Sequence, residues 1–93
     1  MIKVKKEHRK GKEIFIPREI QPNFDEKVYI FKLEDTFYLI SESEWLDIFD
    51  RIEKRDQYSP KKKRQIKRMY SKRSRKVKIK EDGRILIPIK FRK

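Results

Sequence analysis

The sequence predicts one small domain of the α+β class, built mainly from β-strands. Its 93 residues match the length of a single domain. Short apolar runs rich in isoleucine and aromatic residues occur toward both ends of the chain and predict strands. Two stretches between them have the apolar spacing of amphipathic helices. Thirteen isoleucines and eleven aromatic residues supply a thin core although 46% of the residues are charged.

Four strands are expected before the helices. In residues 2–8 apolar and charged side chains alternate, which predicts the first strand. Residues 9–12 form a turn in which Gly11 can adopt a positive φ. Residues 13–16 form the second strand, and Pro17 ends it because proline has no N–H to donate to a ladder.

The next two strands are predicted to form a hairpin. Residues 27–33 and 36–41 are both rich in aromatic and β-branched side chains, and only residues 34–35 separate them. The preceding segment, residues 18–24, contains Pro22 and therefore has room for one helical turn at most.

Two helices are predicted to follow this hairpin. Ser41 and Glu44 have the spacing of a capping box. The apolar residues behind them recur on one helix face: Trp45, Ile48, Phe49 and Ile52. Ser59 and Pro60 are typical of the N-cap and first residue of a second helix. That helix has a narrow apolar stripe and is otherwise covered by lysine and arginine; the stripe is Ile66, Met69 and Tyr70.

The two ends of the chain resemble each other, which indicates an internal repeat. The alternative is chance similarity between two hairpins rich in lysine and isoleucine. Residues 76–80 and 84–87 are expected to form two strands joined by a turn at Asp82 and Gly83. Both ends show a strand, a glycine, a basic residue, an apolar strand and a proline. The spacing is six from Gly11 to Pro17 and five from Gly83 to Pro88, and a bulge accounts for the extra residue.

The second repeat carries a family resemblance. The run Gly83-Arg84-Ile85-Leu86-Ile87-Pro88-Ile89-Lys90-Phe91-Arg92 resembles the signature strand of the AbrB/SpoVT swapped-hairpin DNA-binding domains. The larger layout is similar to the MraZ family, in which two such copies share one chain. There the first copy continues through a hairpin into a helix near a tryptophan, as at Ser43-Glu44-Trp45. Two positions where the family usually has aspartate carry His8 and Lys80 here.

The resemblance implies a swapped-hairpin small barrel with two helices between the strand copies. It divides the single domain, residues 1–93, into a first copy at 1–41, a helical connection at 42–74 and a partial second copy at 75–93. Because the chain stops at Lys93, the barrel is expected to be open, closed differently or completed by another subunit. A homodimer or larger ring is expected, since unpaired strand edges otherwise invite aggregation.

The distribution of charge favours a nucleic-acid partner. The net charge of +13 is uneven, because residues 1–12 carry +5, residues 13–60 carry −6 and residues 61–93 carry +14. Basic ends around an acidic middle favour a basic face, and such an excess repels itself unless a polyanion offsets it. Double-stranded DNA is the first expected partner. An anionic membrane surface and a Lys-, Glu- and Ile-rich composition of high-temperature or AT-rich origin are the other interpretations of the charge.

Seven cations are expected to contact DNA, chiefly from the two turns: Arg9, Lys10, Lys12, Arg18, Lys78, Lys80 and Arg84. If the two copies are related by pseudo-twofold symmetry, both turns can meet one duplex. Lysines are expected on phosphates, whereas Arg84, then Arg9 and Arg18, can make forked contacts with bases. Each is alternatively a solvated surface charge. The basic second helix either tracks phosphates or forms a solvated outer face.

Enzyme chemistry is not expected. His8 is the only histidine and is expected on a strand, cysteine is absent, and no phosphate loop or metal-ligand spacing occurs. The carboxylate pairs at 34–35 and 81–82 fall where turns are expected. No cofactor, metal, small-molecule substrate, membrane span or signal peptide is predicted. The expected setting is cytoplasmic and nucleoid-associated.

The sequence therefore predicts a DNA-binding protein, with transcriptional regulation as its leading role. The alternatives are a non-specific nucleoid or RNA-binding protein, and an antitoxin that uses the same fold. A recurring motif among bound sequences favours the regulator, and co-purification with a small toxin favours the antitoxin.

Overall fold

The structure is a computed structural model, and it describes residues 1–21 and 24–92. Two antiparallel sheets and two helices make up this part of the chain, which is an α+β fold. The strands are β1 (Ile2–Lys3), β2 (Arg9–Lys10), β3 (Glu13–Phe15), β4 (Lys27–Leu33), β5 (Thr36–Ser41), β6 (Ser74–Lys78) and β7 (Arg84–Leu86), and the helices are α1 (Glu42–Glu53) and α2 (Pro60–Lys72). The sheets have the strand orders β1-β5-β4-β6 and β2-β3-β7.

The hairpin of β4 and β5 is buried on both faces, and this sets three layers. Along β4, Val28 and Ile30 belong to the core between the two sheets, while Tyr29 and Phe31 stack on aromatic rings of the helices. Side chains alternate between the two faces of a strand. The smaller sheet, the larger sheet and the helices therefore lie in that order.

The core between the sheets is mainly aliphatic. The smaller sheet and its flanking residues contribute Ile14, Ile16, Ile85 and Ile87, each at most 3% exposed. The larger sheet contributes Val28, Ile30, Phe37 and Leu39. These side chains are the isoleucine-rich runs of the two repeat copies and of the hairpin, so one contiguous core joins the two ends of the chain.

The second face of the larger sheet packs on the helices through aromatic rings. Tyr29 stacks on Trp45 with ring centroids 4.1 Å apart and planes 8° apart. Phe31 stacks on Tyr70 at 5.3 Å, and Phe49 lies 4.8 Å from Trp45. Stacked and tilted aromatic pairs add to the free energy gained by burying their area, so this cluster fixes both helices on the sheet.

The caps of both helices are as predicted. Ser41 Oγ accepts a hydrogen bond from Glu44 N at 3.2 Å, and Glu44 Oε1 accepts one from Ser41 N at 3.4 Å, which completes the capping box. Ser59 Oγ accepts from Lys62 N at 3.1 Å, and Pro60 is the first residue of α2. The predicted bounds of the β4–β5 hairpin are also confirmed.

The prediction of one strand over residues 2–8 is wrong. β1 pairs with β5 of the larger sheet, whereas β2 pairs with β3 of the smaller one. The chain must cross between sheets, and it does so through a 3₁₀ turn at Lys6–His8. His8 therefore lies in a turn, and the count before the helices is five strands instead of four. Pro22, for which the sequence allows one helical turn at most, lies outside the described residues.

No closed barrel forms among residues 1–21 and 24–92. Each sheet is open, with β1 and β6 at the edges of one and β2 and β7 at the edges of the other. The second repeat accounts for this, because β6 pairs with β4 and β7 pairs with β3. These two strands were expected to pair with each other. β6 also starts at Ser74, two residues earlier than expected.

Candidate nucleic-acid interface

A local twofold axis relates the two repeat copies. Ile14 lies opposite Ile85 in the antiparallel pairing of β3 and β7, and residues 71 positions apart occupy matching places around them. The matching main-chain hydrogen bonds run from Ile16 N to Gly83 O at 2.9 Å and from Ile87 N to Lys12 O at 2.8 Å. The two strands therefore meet as equivalent partners.

The match extends beyond the strands into side chains. Gln21 Nε2 donates to Ile16 O at 2.8 Å, and at the equivalent place Arg92 Nε donates to Ile87 O at 2.6 Å. The turns after the two prolines match as well, with bonds from Ile20 N to Pro17 O and from Phe91 N to Pro88 O. Both copies thus end in the same tied-back turn.

The twofold places the two basic turns at opposite ends of the β3–β7 pair. Lys12, in the first turn, is bonded to the far end of β7, and Gly83, in the second turn, to the far end of β3. Lys12 and Ile16 are four residues apart, which is about 13 Å along a strand. A duplex presents roughly seven or eight phosphate charges over that length, so both turns can lie on one duplex.

The cations of the second turn are already paired with carboxylates. Arg84 Nε lies 2.9 Å from Asp82 Oδ2, and a second nitrogen of its guanidinium lies 3.7 Å from Glu13 Oε1. Lys80 Nζ lies 3.4 Å from the other oxygen of Glu13. The Arg84 guanidinium also lies 5.2 Å from the ring centroid of Phe15. Arg84 is the residue that the sequence predicts first for base contacts. It therefore has competing partners within the protein.

The first turn lies beside cations that have no carboxylate within 4.0 Å in the described part of the chain. The Arg9 guanidinium covers the ring of Phe37 at 4.5 Å from its centroid. Lys32 Nζ lies 5.7 Å from the same ring and 3.4 Å from Phe91 O. Lys90 Nζ lies 4.8 Å from the Phe91 centroid. We call Arg9, Lys32 and Lys90 the rim cations, because Phe37 and Phe91 close the core at this edge.

The rim cations continue onto the C-terminal end of α2. Lys90 Nζ donates to Lys72 O at 3.2 Å and to Ser74 O at 3.4 Å. Lys32 N donates to Arg73 O at 2.8 Å. A cation is favourable at a helix C-terminus because the last carbonyls carry partial negative charge. The rim cations and the last turn of α2 are therefore neighbours on one surface.

One side of α2 extends this surface. The exposed stripe consists of Lys61, Arg64, Arg68 and Lys72, whose spacing of three and four residues places them on one helix face. No acidic residue occurs within α2. The opposite side contacts α1, where Glu53 pairs with Lys67 and its carbonyl oxygen accepts from Lys63 Nζ at 2.7 Å.

The remaining predicted residues are exposed, and none of them belongs to the rim cations. Lys10 pairs with Glu13 in register within the first hairpin. Arg18 lies in the turn that follows β3, near the second basic turn. Lys78 ends β6, opposite Lys27 of β4. The structure thus brings Arg9, Lys10 and Lys12 together at one end and Arg18, Lys80 and Arg84 at the other.

Lys32 and Lys90 are not among the DNA-contacting residues that the sequence predicts. Lys32 interrupts the otherwise apolar alternation that Val28 and Ile30 begin on the core face of β4. Lys90 follows the second proline within the repeat signature. A lone cation at a core-facing position was the available signal for Lys32, since a buried lysine stem must bring its ammonium to a polar edge.

No group of three or more histidine, cysteine, aspartate or glutamate side chains in residues 1–21 and 24–92 is arranged to hold a metal ion. No helix of the described chain is long and apolar enough to cross a membrane. No protein-family model and no curated protein matches the chain.

Proposed function

We propose that the protein binds double-stranded DNA through the first basic turn, the rim cations and the exposed stripe of α2, and that it acts as a transcriptional regulator of the AbrB/MraZ type. One observation carries the DNA proposal: Arg9 and Lys32 lie by the ring of Phe37, Lys32 and Lys90 lie by Phe91, and none of the three has a carboxylate within 4.0 Å among the described residues. Adjacent cations repel one another, and a polyanion relieves that repulsion.

The second basic turn has a smaller part in the proposed DNA binding than the sequence predicts. Arg84 and Lys80 share Glu13, and Arg84 also contacts Asp82. A base contact by Arg84 must replace these partners, which lowers its net gain. In the part of the chain that the structure describes, Lys12 has no carboxylate within 4.0 Å, so the first turn is the better candidate for contact with the DNA groove. The regulator part of the proposal is supported by the resemblance of residues 83–92 to the AbrB/MraZ signature strand.

A salt titration tests the proposal. Fluorescence anisotropy of a labelled duplex should give a log–log slope of about −4 to −7, from five to eight phosphate contacts. A slope near zero, or no binding at about 50 mM salt, contradicts DNA binding. Selection of bound sequences then separates the regulator, which should enrich a recurring motif, from the non-specific alternative. Equal affinity for an RNA hairpin favours the RNA-binding alternative, and co-purification of a small toxin the antitoxin.

We also propose that the protein forms a homodimer. Both sheets are open at two edges among the described residues, and exposed edges are templates for pairing with another chain. Light scattering should therefore give a mass above the 11.6 kDa of one chain. A monomer at every accessible concentration contradicts this part of the proposal.

A further inference from the structure

A groove of about 380 Å³ separates β6 from β7. Half of its lining is apolar, and the other half is cationic. The apolar residues are Val77, Leu86, Pro88 and Ile89, and the cations are Arg75, Lys78, Lys80 and Arg92. None of the lining residues is acidic. The groove therefore combines apolar surface with concentrated positive charge.

The apolar side of the groove is open to water. Ile89 is 79% exposed and Leu86 is 43% exposed. Covering these two side chains gains free energy in proportion to the apolar area removed from water. A ligand with apolar side chains would gain this free energy by covering Ile89 and Leu86.

Apart from the bond from Lys80 N to Arg84 O at 2.9 Å that closes the second turn, both strands beside the groove have an unpaired edge within the described residues. β6 pairs with β4 on one side, and β7 pairs with β3 on one side. Gly83 O and Ile87 N make the bonds to β3, so the antiparallel alternation turns the N–H and C=O of Leu86 away from β3. Ile79 N bonds to Glu26 O on the β4 side, so Lys78 likewise presents its main chain outward.

The equivalent cleft in the first repeat copy is closed. Its volume is about 10 Å³, and its lining includes Val4, Phe15 and Pro17. The local twofold matches these residues with Arg75, Leu86 and Pro88. Val4 is buried where Arg75 is exposed, and the leucine fills less space than the phenylalanine. The second copy is open because these side chains leave the space empty.

The positive charge and the apolar surface of the groove together distinguish between three possible ligands: a second copy of the chain, duplex DNA and an acidic polypeptide. A second copy pairing along β6 would bring Arg75 and Lys78 close to the same residues of its partner, and like charges across a strand pair are unfavourable. Duplex DNA offers phosphates for the cations but no apolar side chains for Ile89 and Leu86. An acidic polypeptide offers both, and added strands take their affinity from main-chain hydrogen bonds and their specificity from alternate side chains.

We propose that the groove between β6 and β7 binds an extended polypeptide segment in which acidic and apolar residues alternate. The segment hydrogen-bonds to the outward main chain of Leu86 or Lys78. Its apolar side chains cover Ile89 and Leu86, and its carboxylates lie near Arg75, Lys78 and Arg92. The groove lining includes none of the rim cations and no residue of the first basic turn or of the α2 stripe, and the peptide proposal stands without the DNA proposal.

A labelled, end-capped peptide that alternates glutamate and valine is the probe, and its binding is measured by anisotropy without DNA. Ile89→Ser should weaken binding about tenfold or more, because the covered isoleucine is lost without a change of charge. Leu46→Ser is the matched control, since Leu46 is 65% exposed on α1 and lies outside the groove. Lys78→Gln should also weaken peptide binding, because it removes a cation that is proposed to lie near the peptide's carboxylates. Amide exchange at Leu86 or Lys78 should slow when the peptide is bound.

Three results would overturn the peptide proposal. The first is a peptide affinity that falls equally in Ile89→Ser and Leu46→Ser, or in neither. The second is duplex affinity, instead of peptide affinity, that depends on Ile89, which would assign the groove to nucleic acid. The third is an oligomer that Ile89→Ser dissociates while the peptide fails to bind, which would assign the groove to a second copy. If the unsubstituted protein proves not to bind DNA, the peptide assay still tests the groove, because it contains no DNA.

Discussion

Glu13 contacts Arg84 across the β3–β7 pair, with Oε1 3.7 Å from a guanidinium nitrogen. The same carboxylate holds Lys80 Nζ at 3.4 Å. Because Glu13 and Arg84 occupy equivalent positions under the local twofold, the axis relates an acid in one copy to a base in the other. One copy thus neutralises the basic turn of the other.

Glu13→Gln should strengthen DNA binding, because it releases Lys80 and Arg84 toward phosphates. We expect a log–log salt slope steeper by about one to two, measured by anisotropy on one duplex. Arg84→Ala in the unchanged background should alter duplex affinity by less than about threefold. Glu81→Gln is the control, since it removes the same charge beside the same turn but has no ion pair in the described structure. Equal effects of Glu13→Gln and Glu81→Gln would show that net charge alone matters.

The double substitution Arg68→Gln with Lys72→Gln should weaken binding to all sequences alike. These two cations lie on the exposed stripe of α2 and are proposed to contact phosphates, so the salt slope should flatten by about two. The control is Arg51→Gln with Lys54→Gln on α1, which removes the same charge. Those two cations already pair with Asp47 and Asp50 at 2.9 and 2.8 Å. A slope that flattens equally in both variants contradicts a role for α2.

Gly83→Ala should destabilise the fold more than Gly11→Ala does. Both glycines have a positive φ, of +82° and +59°, and alanine there costs about 1–2 kcal/mol. A Cβ on Gly83 would also lie 2.4 Å from Gln21 Nε2 and 3.3 Å from Ile16 O, which disrupts the hydrogen bond between them and adds about 1 kcal/mol. Around Gly11 there is open space. Urea unfolding of both variants measures the difference, and equal losses would contradict the tied-back turn.

Glu44 should make stability depend on acid pH. Burial works against its charged form, but hydrogen bonds from the N-terminal ammonium and from Ser41 hold the pKa of Glu44 below its ordinary value of 4.5. Because the pKa of Glu44 is lower in the folded state, its charge contributes to the free energy of unfolding above about pH 4.5. That contribution is lost as the pH falls through the pKa of the folded state.

Glu44→Gln tests this dependence. The unchanged protein should exceed the variant by about 0.3–0.5 kcal/mol in free energy of unfolding at neutral pH, the low end for a charge near a helix N-terminus because solvent screens it. The gap should close in acid. The control is Glu19→Gln, at an exposed position outside any helix cap. A gap that stays constant with pH would contradict the role of the charge.

The local signals in the sequence were sufficient for the hairpin and the helices. The β4–β5 hairpin and both caps depend on contacts between residues near in sequence, such as Ser41 with Glu44. The prediction for residues 2–8 was wrong because an alternating pattern indicates a strand but does not indicate which sheet the strand joins. The break at Lys6–His8 is a consequence of tertiary pairing. An alternation of apolar and charged residues cannot reveal it.

The candidate site was predictable only in part, for the same reason. Repeat similarity placed Lys12 and Arg84 at matching turns, but it did not reveal that Glu13 reaches back across the axis to Arg84. Lys32 and Lys90 join Arg9 only through the packing of Phe37 against Phe91, whose centroids are 6.3 Å apart. Contacts between side chains so far apart in sequence have no local pattern.

The local twofold has a consequence for how this molecule can change. In a dimer of identical chains every substitution appears at both equivalent positions, so the two sides stay alike. Here the equivalent positions belong to different codons, and each can vary alone. Val4 closes one cleft while Arg75 leaves its counterpart open. A single chain can thus hold two related surfaces and give each a different ligand.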